Sequence, residues 1–213
     1  MKPFHVKVCG VTRVEDALAA AELGADYVGL NFFAGSPRFV DASRAAAIVR
    51  ALPRGVETVG VFVNEPPEKV NMIAEEVGLH MAQLHGQETP DQADLVRLPV
   101  IKAIHLDKEA DIAAAEAYKV DLYLIDTPSK AWGGSGRTGN WTLAAAACGK
   151  VRALLAGGLT PENIAEAVRA VTPYGVDVSS GVERAPGIKD REKMKLFIQR
   201  AREAAKAIGE KEE

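Results

Sequence analysis

Cysteine is scarce in this sequence, with only Cys9 and Cys148 among 213 residues. Two thiols cannot make a disulfide framework, and without a C-x-x-C pair nothing suggests a thiolate zinc site or a redox motif. Neither sign of charge dominates, with 26 Lys and Arg against 29 Asp and Glu. The net charge is −3, which gives no electrostatic case for nucleic acid or an anionic membrane as partner. No stretch approaches the ~18 consecutive apolar residues of a membrane span. Residues 1–7 lack the long apolar run of a signal peptide. The expected location is therefore the cytoplasm, with both thiols reduced. No linker, low-complexity segment or composition break divides the chain. The 47% hydrophobic and 26% charged content is that of a globular protein, and the length suits one domain over residues 1–213.

Two textures alternate along the chain. β-rich runs fall at 5–10, 27–33, 57–64, 81–86, 100–106, 121–127, 151–158 and 175–181. Between them, Ala-, Glu- and Arg-rich stretches with helical spacing fall at 14–24, 41–52, 66–78, 90–97, 109–118, 141–148, 161–171 and 190–208. Strands alternating with helices imply βαβ units and a parallel sheet. Thr12-Arg13-Val14-Glu15 and Thr89-Pro90-Asp91-Gln92 read as capping boxes, and Thr160-Pro161 as a cap followed by a first-turn proline. Eight such units predict an α/β fold, a (β/α)₈ TIM barrel. The rival, a doubly wound open sheet, would show a dinucleotide fingerprint. Cys9-Gly10-Val11-Thr12 after the first strand offers a single glycine, so G-x-G-x-x-G is absent.

Side chains alternate faces along a strand. If Val6 and Val8 meet the helices, Lys7 and Cys9 point into the barrel. By the same parity Gln83 and His85 point inward in the fourth strand, and Asp177 and Ser179 in the eighth. Asp126 ends the sixth strand in phase with Leu122 and Leu124. A buried Lys or Asp is costly unless paired, so Lys7 and Asp177 are expected to lie together where the eighth strand closes beside the first. Polar groups thus gather toward the C-terminal strand ends, where barrel enzymes keep their active sites. Each is ambiguous alone: Cys9 could be an ordinary buried thiol, His85 a core histidine, Asp126 a turn former, and Arg38, Lys130 and Arg137 surface cations. The glycine turns Ala156-Gly157-Gly158 and Ser179-Ser180-Gly181 follow the seventh and eighth strands, the usual place for phosphate in a barrel. The stretch 127–140, with Gly133-Gly134-Ser135-Gly136, is long for a βα loop and suggests an active-site cover.

KVCGVTRVEDALAAAELGADYVGLNFFAGSPRFV, VGVFVN, QLHG, DTPSKAWGGSGRTGNW, LAGGLTPENI and YGVDVSSGVERAPGIKD stand in one order along the chain. Together they resemble the phosphoribosylanthranilate isomerase family of tryptophan biosynthesis. The wording departs from the commonest pattern at Leu30-Asn31-Phe32-Phe33, Ala34-Gly35 and Arg184. The resemblance implies a (β/α)₈ barrel that carries out an Amadori rearrangement of a small-molecule substrate, N-(5-phosphoribosyl)anthranilate, with no metal and no organic cofactor. It implies Cys9 as general base, Asp126 as general acid and Arg38 against the anthranilate carboxylate. His85 and Asp177 are further candidates for substrate contacts. The phosphate turns map onto Gly157, Gly158, Ser180 and Gly181.

The chemistry suits these residue types: opening an aminofuranose needs a proton on the ring oxygen, and a carboxylic acid can supply it. A thiolate, formed with help from nearby Lys7, can then take a proton from the second sugar carbon. Three alternatives stay open from the residues themselves. They are another sugar-phosphate isomerase or epimerase, an isomerase that also serves histidine biosynthesis, and a silent barrel used as a binding module. The four histidines at 5, 80, 85 and 105 show no metal-ligand spacing. No nucleic-acid or membrane partner is expected, and the chain could be a monomer or a homodimer.

Overall fold

A computed structural model describes residues 4–126 and 141–210. Eight parallel strands close into a barrel: β1 (His5–Val8), β2 (Tyr27–Asn31), β3 (Glu57–Phe62), β4 (Met81–Leu84), β5 (Val100–His105), β6 (Leu122–Asp126), β7 (Ala153–Ala156) and β8 (Gly175–Val178). Each is followed by a helix: α1 (Val14–Glu22), α2 (Ala42–Ala51), α3 (Pro67–Val77), α4 (Pro90–Asp94), α5 (Ala110–Ala115), α6 (Trp141–Cys148), α7 (Ile164–Val171) and α8 (Arg191–Gly209). The eight βα units read from the sequence are all present, in order. Between β8 and α8 the chain adds a 3₁₀ turn (Ser180–Val182) and a small antiparallel hairpin, β9 (Glu183–Ala185) with β10 (Ile188–Lys189).

Local signals explain most helix starts. Thr89 caps α4 as a full capping box with Gln92. The Asp41 carboxylate accepts from the Arg44 amide at the head of α2, and Asp190 accepts from the amides of Glu192 and Lys193 at the head of α8. Two expectations fail. Thr12 caps nothing in α1: its hydroxyl donates to the Gly187 carbonyl at 2.6 Å, and Arg13 takes the cap position without a side-chain bond. α7 begins at Ile164, after a turn in which the Thr160 hydroxyl accepts from the Glu162 amide.

The core has two shells. Tyr27, Val59, Met81, Ile101, Leu122, Leu124 and Leu154 fill the barrel. Val6, Val8, Val28, Leu30, Ala82, Leu155, Val176 and Val178 face the helices instead. β1 pairs with β8 in a register that sets Lys7 beside Asp177. The Lys7 Nζ donates to Asp177 Oδ1 at 2.8 Å, with the lysine fully buried. Burial opposes the Lys7 charge, but Asp177 and Cys9 together outweigh it and hold the ammonium above its ordinary pKa. Removing one partner strands the other in the core. Lys7→Met should therefore cost about 3–5 kcal/mol of unfolding free energy, read from the urea midpoint. Lys7→Met with Asp177→Leu should recover most of it, and a single variant as stable as the parent would contradict this account.

Candidate active site

At the C-terminal mouth of the barrel lies a cavity of about 460 Å³. Cys9, Arg38, His85, Asp126, Gly157, Gly158, Asp177, Ser180 and Gly181 all line it, so the nine residues selected from the sequence converge. The stretch 127–140, with Lys130, Arg137 and the glycines at 133–136, lies outside the described residues.

Cys9 sits just past β1, half-buried. Its amide donates to the Val178 carbonyl at 2.8 Å. Its side chain fits because Gly29 stands opposite: a methyl group there would come within 2.7 Å of Sγ. Burial pushes the Cys9 thiol up. The charge of Lys7 pulls it back, and Asp177 adds to the rise. Lys7 therefore favours the thiolate as expected, but burial outweighs it.

Arg38 does not stand alone at the mouth. Its Nε and Nη2 donate to the two oxygens of Glu183 at 2.8 and 2.6 Å. Arginine carries five N–H donors, so some remain for a second carboxylate. Burial pushes the Glu183 carboxyl up, yet Arg38 and Lys189 outweigh it and hold it below the usual carboxylate range. The buried Lys189 donates to Glu183 Oε1 at 2.8 Å, to the Ser179 carbonyl at 3.1 Å and to the Cys9 carbonyl at 2.5 Å. Glu183 and Lys189 thereby join the segments that follow β1, β2 and β8.

Asp126 ends β6, half-buried, in register with His105 of β5 and Ala156 of β7. Two imidazoles flank it, His85 Nε2 and His105 Nδ1, each 3.7 Å from Oδ2. Gln83 holds His85 from below, with its amide nitrogen 2.7 Å from Nδ1. The spacing of the four histidines thus conceals a cluster that the barrel assembles from adjacent strands.

The phosphate turns meet across the mouth. Gly157 and Gly158 adopt φ of +95° and +62°, a region that side chains disfavour. A methyl group on Gly181 would stand 1.9 Å from the Leu159 carbonyl oxygen, so the two turns can approach only with glycine there. Ser180 and Gly181 open the 3₁₀ turn, where amides have no partner within the turn.

Comparison with known proteins agrees with this geometry. The sequence model described as N-(5'-phosphoribosyl)anthranilate (PRA) isomerase matches residues 6–200. The N-(5'-phosphoribosyl)anthranilate isomerase of Pelobacter propionicus is 50% identical over 201 residues, 94% of this chain and 96% of the relative. That of Geobacter sulfurreducens is 48% identical over 199 residues, 93% and 98% of the two chains. The crystal structure of phosphoribosyl anthranilate isomerase from Thermotoga maritima is similar with a TM-score of 0.88 at 43% identity, covering 94% of this chain and all of that one. A structure of the isomerase in complex with reduced 1-(o-carboxyphenylamino)-1-deoxyribulose 5-phosphate is similar with a TM-score of 0.86 at 40% identity, with the same coverage. With a family match across nearly the whole barrel and these motifs gathered at its mouth, the chain belongs to the phosphoribosylanthranilate isomerase family.

Proposed function

We infer that this enzyme isomerises N-(5-phosphoribosyl)anthranilate to 1-(2-carboxyphenylamino)-1-deoxyribulose 5-phosphate in tryptophan biosynthesis, with Asp126 as general acid and Cys9 as general base. The observation that carries the reading is that thiol, carboxyl, arginine and glycine turns open into one cavity of a family barrel. Asp126 gives its proton to the furanose ring oxygen, the C1–O bond breaks, and the anilino nitrogen lone pair forms the iminium. The Cys9 thiolate then takes the proton from C2, and those electrons neutralise the iminium to an enolamine. Loss of the enol O–H proton and gain of a proton at C1 complete the ketone. Solvent returns the Cys9 proton to Asp126, so the cycle needs no cofactor.

Arg38, oriented by Glu183, takes the anthranilate carboxylate. The turns at Gly157-Gly158 and Ser180-Gly181 take the phosphate on backbone amides. His85 orients Asp126, and Asp177 meets a sugar hydroxyl. The working unit is the barrel over residues 1–213, in the cytoplasm, as monomer or homodimer and without nucleic acid or membrane.

Freshly made phosphoribosylanthranilate should lose its anthranilate fluorescence when the protein is added, at the same rate in EDTA. A silent binding module would leave the fluorescence standing. Inorganic phosphate should raise the apparent KM and leave kcat unchanged, because it competes for the glycine turns. Inhibition that lowers kcat alone would move the phosphate elsewhere.

A further inference from the structure

We propose that His85, His105 and Asp126 form a binding site for a divalent transition metal of the Zn²⁺ type, and that loading it switches the isomerase off. The three ligand atoms lie within 4.8 Å of one another. Two neutral imidazoles and a carboxylate form the nitrogen–oxygen donor set that Zn²⁺ accepts. Zinc–ligand bonds of roughly 2.0–2.1 Å in a tetrahedron put donor atoms about 3.3 Å apart. Both histidine nitrogens already stand 3.7 Å from Asp126 Oδ2, so those contacts close with a movement of a few tenths of an ångström. The two ring centroids are 5.6 Å apart, and the exposed His105 can turn to bring its nitrogen in.

A second observation comes from beneath the cluster. Gln83 is 1% exposed, and its Oε1 has no hydrogen-bond partner among the described residues. Its other amide atom touches His85 Nδ1 at 2.7 Å. Which end of an amide faces a neighbour is settled by the hydrogen bonds it makes. In the alternative amide orientation that oxygen would stand on His85 Nδ1 and accept its proton, the amide nitrogen then taking the unpartnered place. His85 then presents the Nε2 lone pair toward Asp126. Metal-binding histidines are held in this way, by an acceptor on the far ring nitrogen.

Inhibition follows from proton accounting and rests on the reading of Asp126 as the acid. The metal binds the carboxylate, and any proton on Asp126 leaves to solvent. A carboxylate bound to metal has no proton for the furanose oxygen. The metal here is an inhibitor, so EDTA leaves the metal-free enzyme unaffected.

The test uses Co²⁺ as a spectroscopic probe and Zn²⁺ as competitor, with turnover followed in parallel. Visible ligand-field bands should appear on adding Co²⁺, without a thiolate-to-cobalt charge-transfer band, and Zn²⁺ should displace them. Turnover should fall with the same midpoint and return with EDTA. In His105→Ala, the metal midpoint, read against that variant's own metal-free turnover, should weaken by at least the roughly 10–100-fold that loss of a mere outer-shell partner of a metal ligand costs. An unchanged midpoint in His105→Ala, or a charge-transfer band that assigns the metal to Cys9, would overturn the site. Cobalt bands that vanish in His105→Ala, with a loaded parent enzyme still turning over at full rate, would uphold the site and instead refute Asp126 as the acid.

Discussion

Asp126→Asn lowers turnover by roughly 10²–10⁴-fold, the worth of a general acid, while ligand binding hardly changes. The substitution keeps the shape of the side chain at the end of β6, between the imidazoles of His85 and His105. An amide can still donate a hydrogen bond to the furanose oxygen. It cannot transfer the proton, so the leaving oxygen departs as an alkoxide that is hydrogen-bonded but not neutralised. Calorimetry with the reduced product analogue should show an affinity within a few-fold of the parent, and single-turnover kinetics should show the chemical step slowed. Full turnover in Asp126→Asn would refute the acid assignment; equal losses in binding and turnover would make Asp126 a binding group.

Cys9→Ala should cost a comparable factor, again roughly 10²–10⁴-fold, with Cys9→Ser intermediate or equally poor. The backbone at this position is held independently of the thiol, by the Cys9 amide on Val178 and the Cys9 carbonyl on Lys189, so the variant should stay folded. The pH dependence supplies a second readout. Burial raises the Cys9 thiol above its ordinary pKa, and only the thiolate accepts the C2 proton. The parent's kcat/KM should therefore fall on both sides of an optimum, the thiolate being lost at low pH and the Asp126 carboxylic acid at high pH, and the low-pH fall should be absent in Cys9→Ala. Cys148 is the control. It ends α6 away from the mouth, with its thiol pushed up to about 12 by burial. Cys148→Ala should leave the rate nearly untouched. A parent rate that is flat in pH, together with an active Cys9→Ala, would remove the thiol from the mechanism.

What was legible in the sequence came from two periodicities. Alternation of strand and helix textures gave all eight βα units. Parity within strands gave the inward set, including the Lys7–Asp177 pair. His105 obeys the same rule, in phase with the inward Ile101 and Ala103 of β5. Its partnership with Asp126 depends on inter-strand register, which no single strand encodes. Glu183 and Lys189 stand in quoted motifs, but their partners lie about 145 and 180 residues away. Pro186-Gly187 marks the turn of the hairpin that carries them, with Gly187 at φ +77°, but nothing local says where the hairpin packs, and it displaces the Thr12 cap by supplying the Gly187 carbonyl. Gly29 reads as an ordinary strand glycine until the Cys9 sulfur is seen against it.

The hairpin of β9 and β10 sets a timetable for biosynthesis. Cys9 leaves the ribosome early, but the lysine that fastens its carbonyl comes 180 residues later. At about 5–20 residues per second, roughly 10–40 s of translation separate the two. Late in that interval a nascent chain has most of its strands synthesised and still lacks the ties on Cys9 and Arg38. Prematurely terminated products that stop short of Lys189 would accordingly release an incomplete catalyst, whatever secondary structure they retain. Contacts so distant in the chain also slow folding.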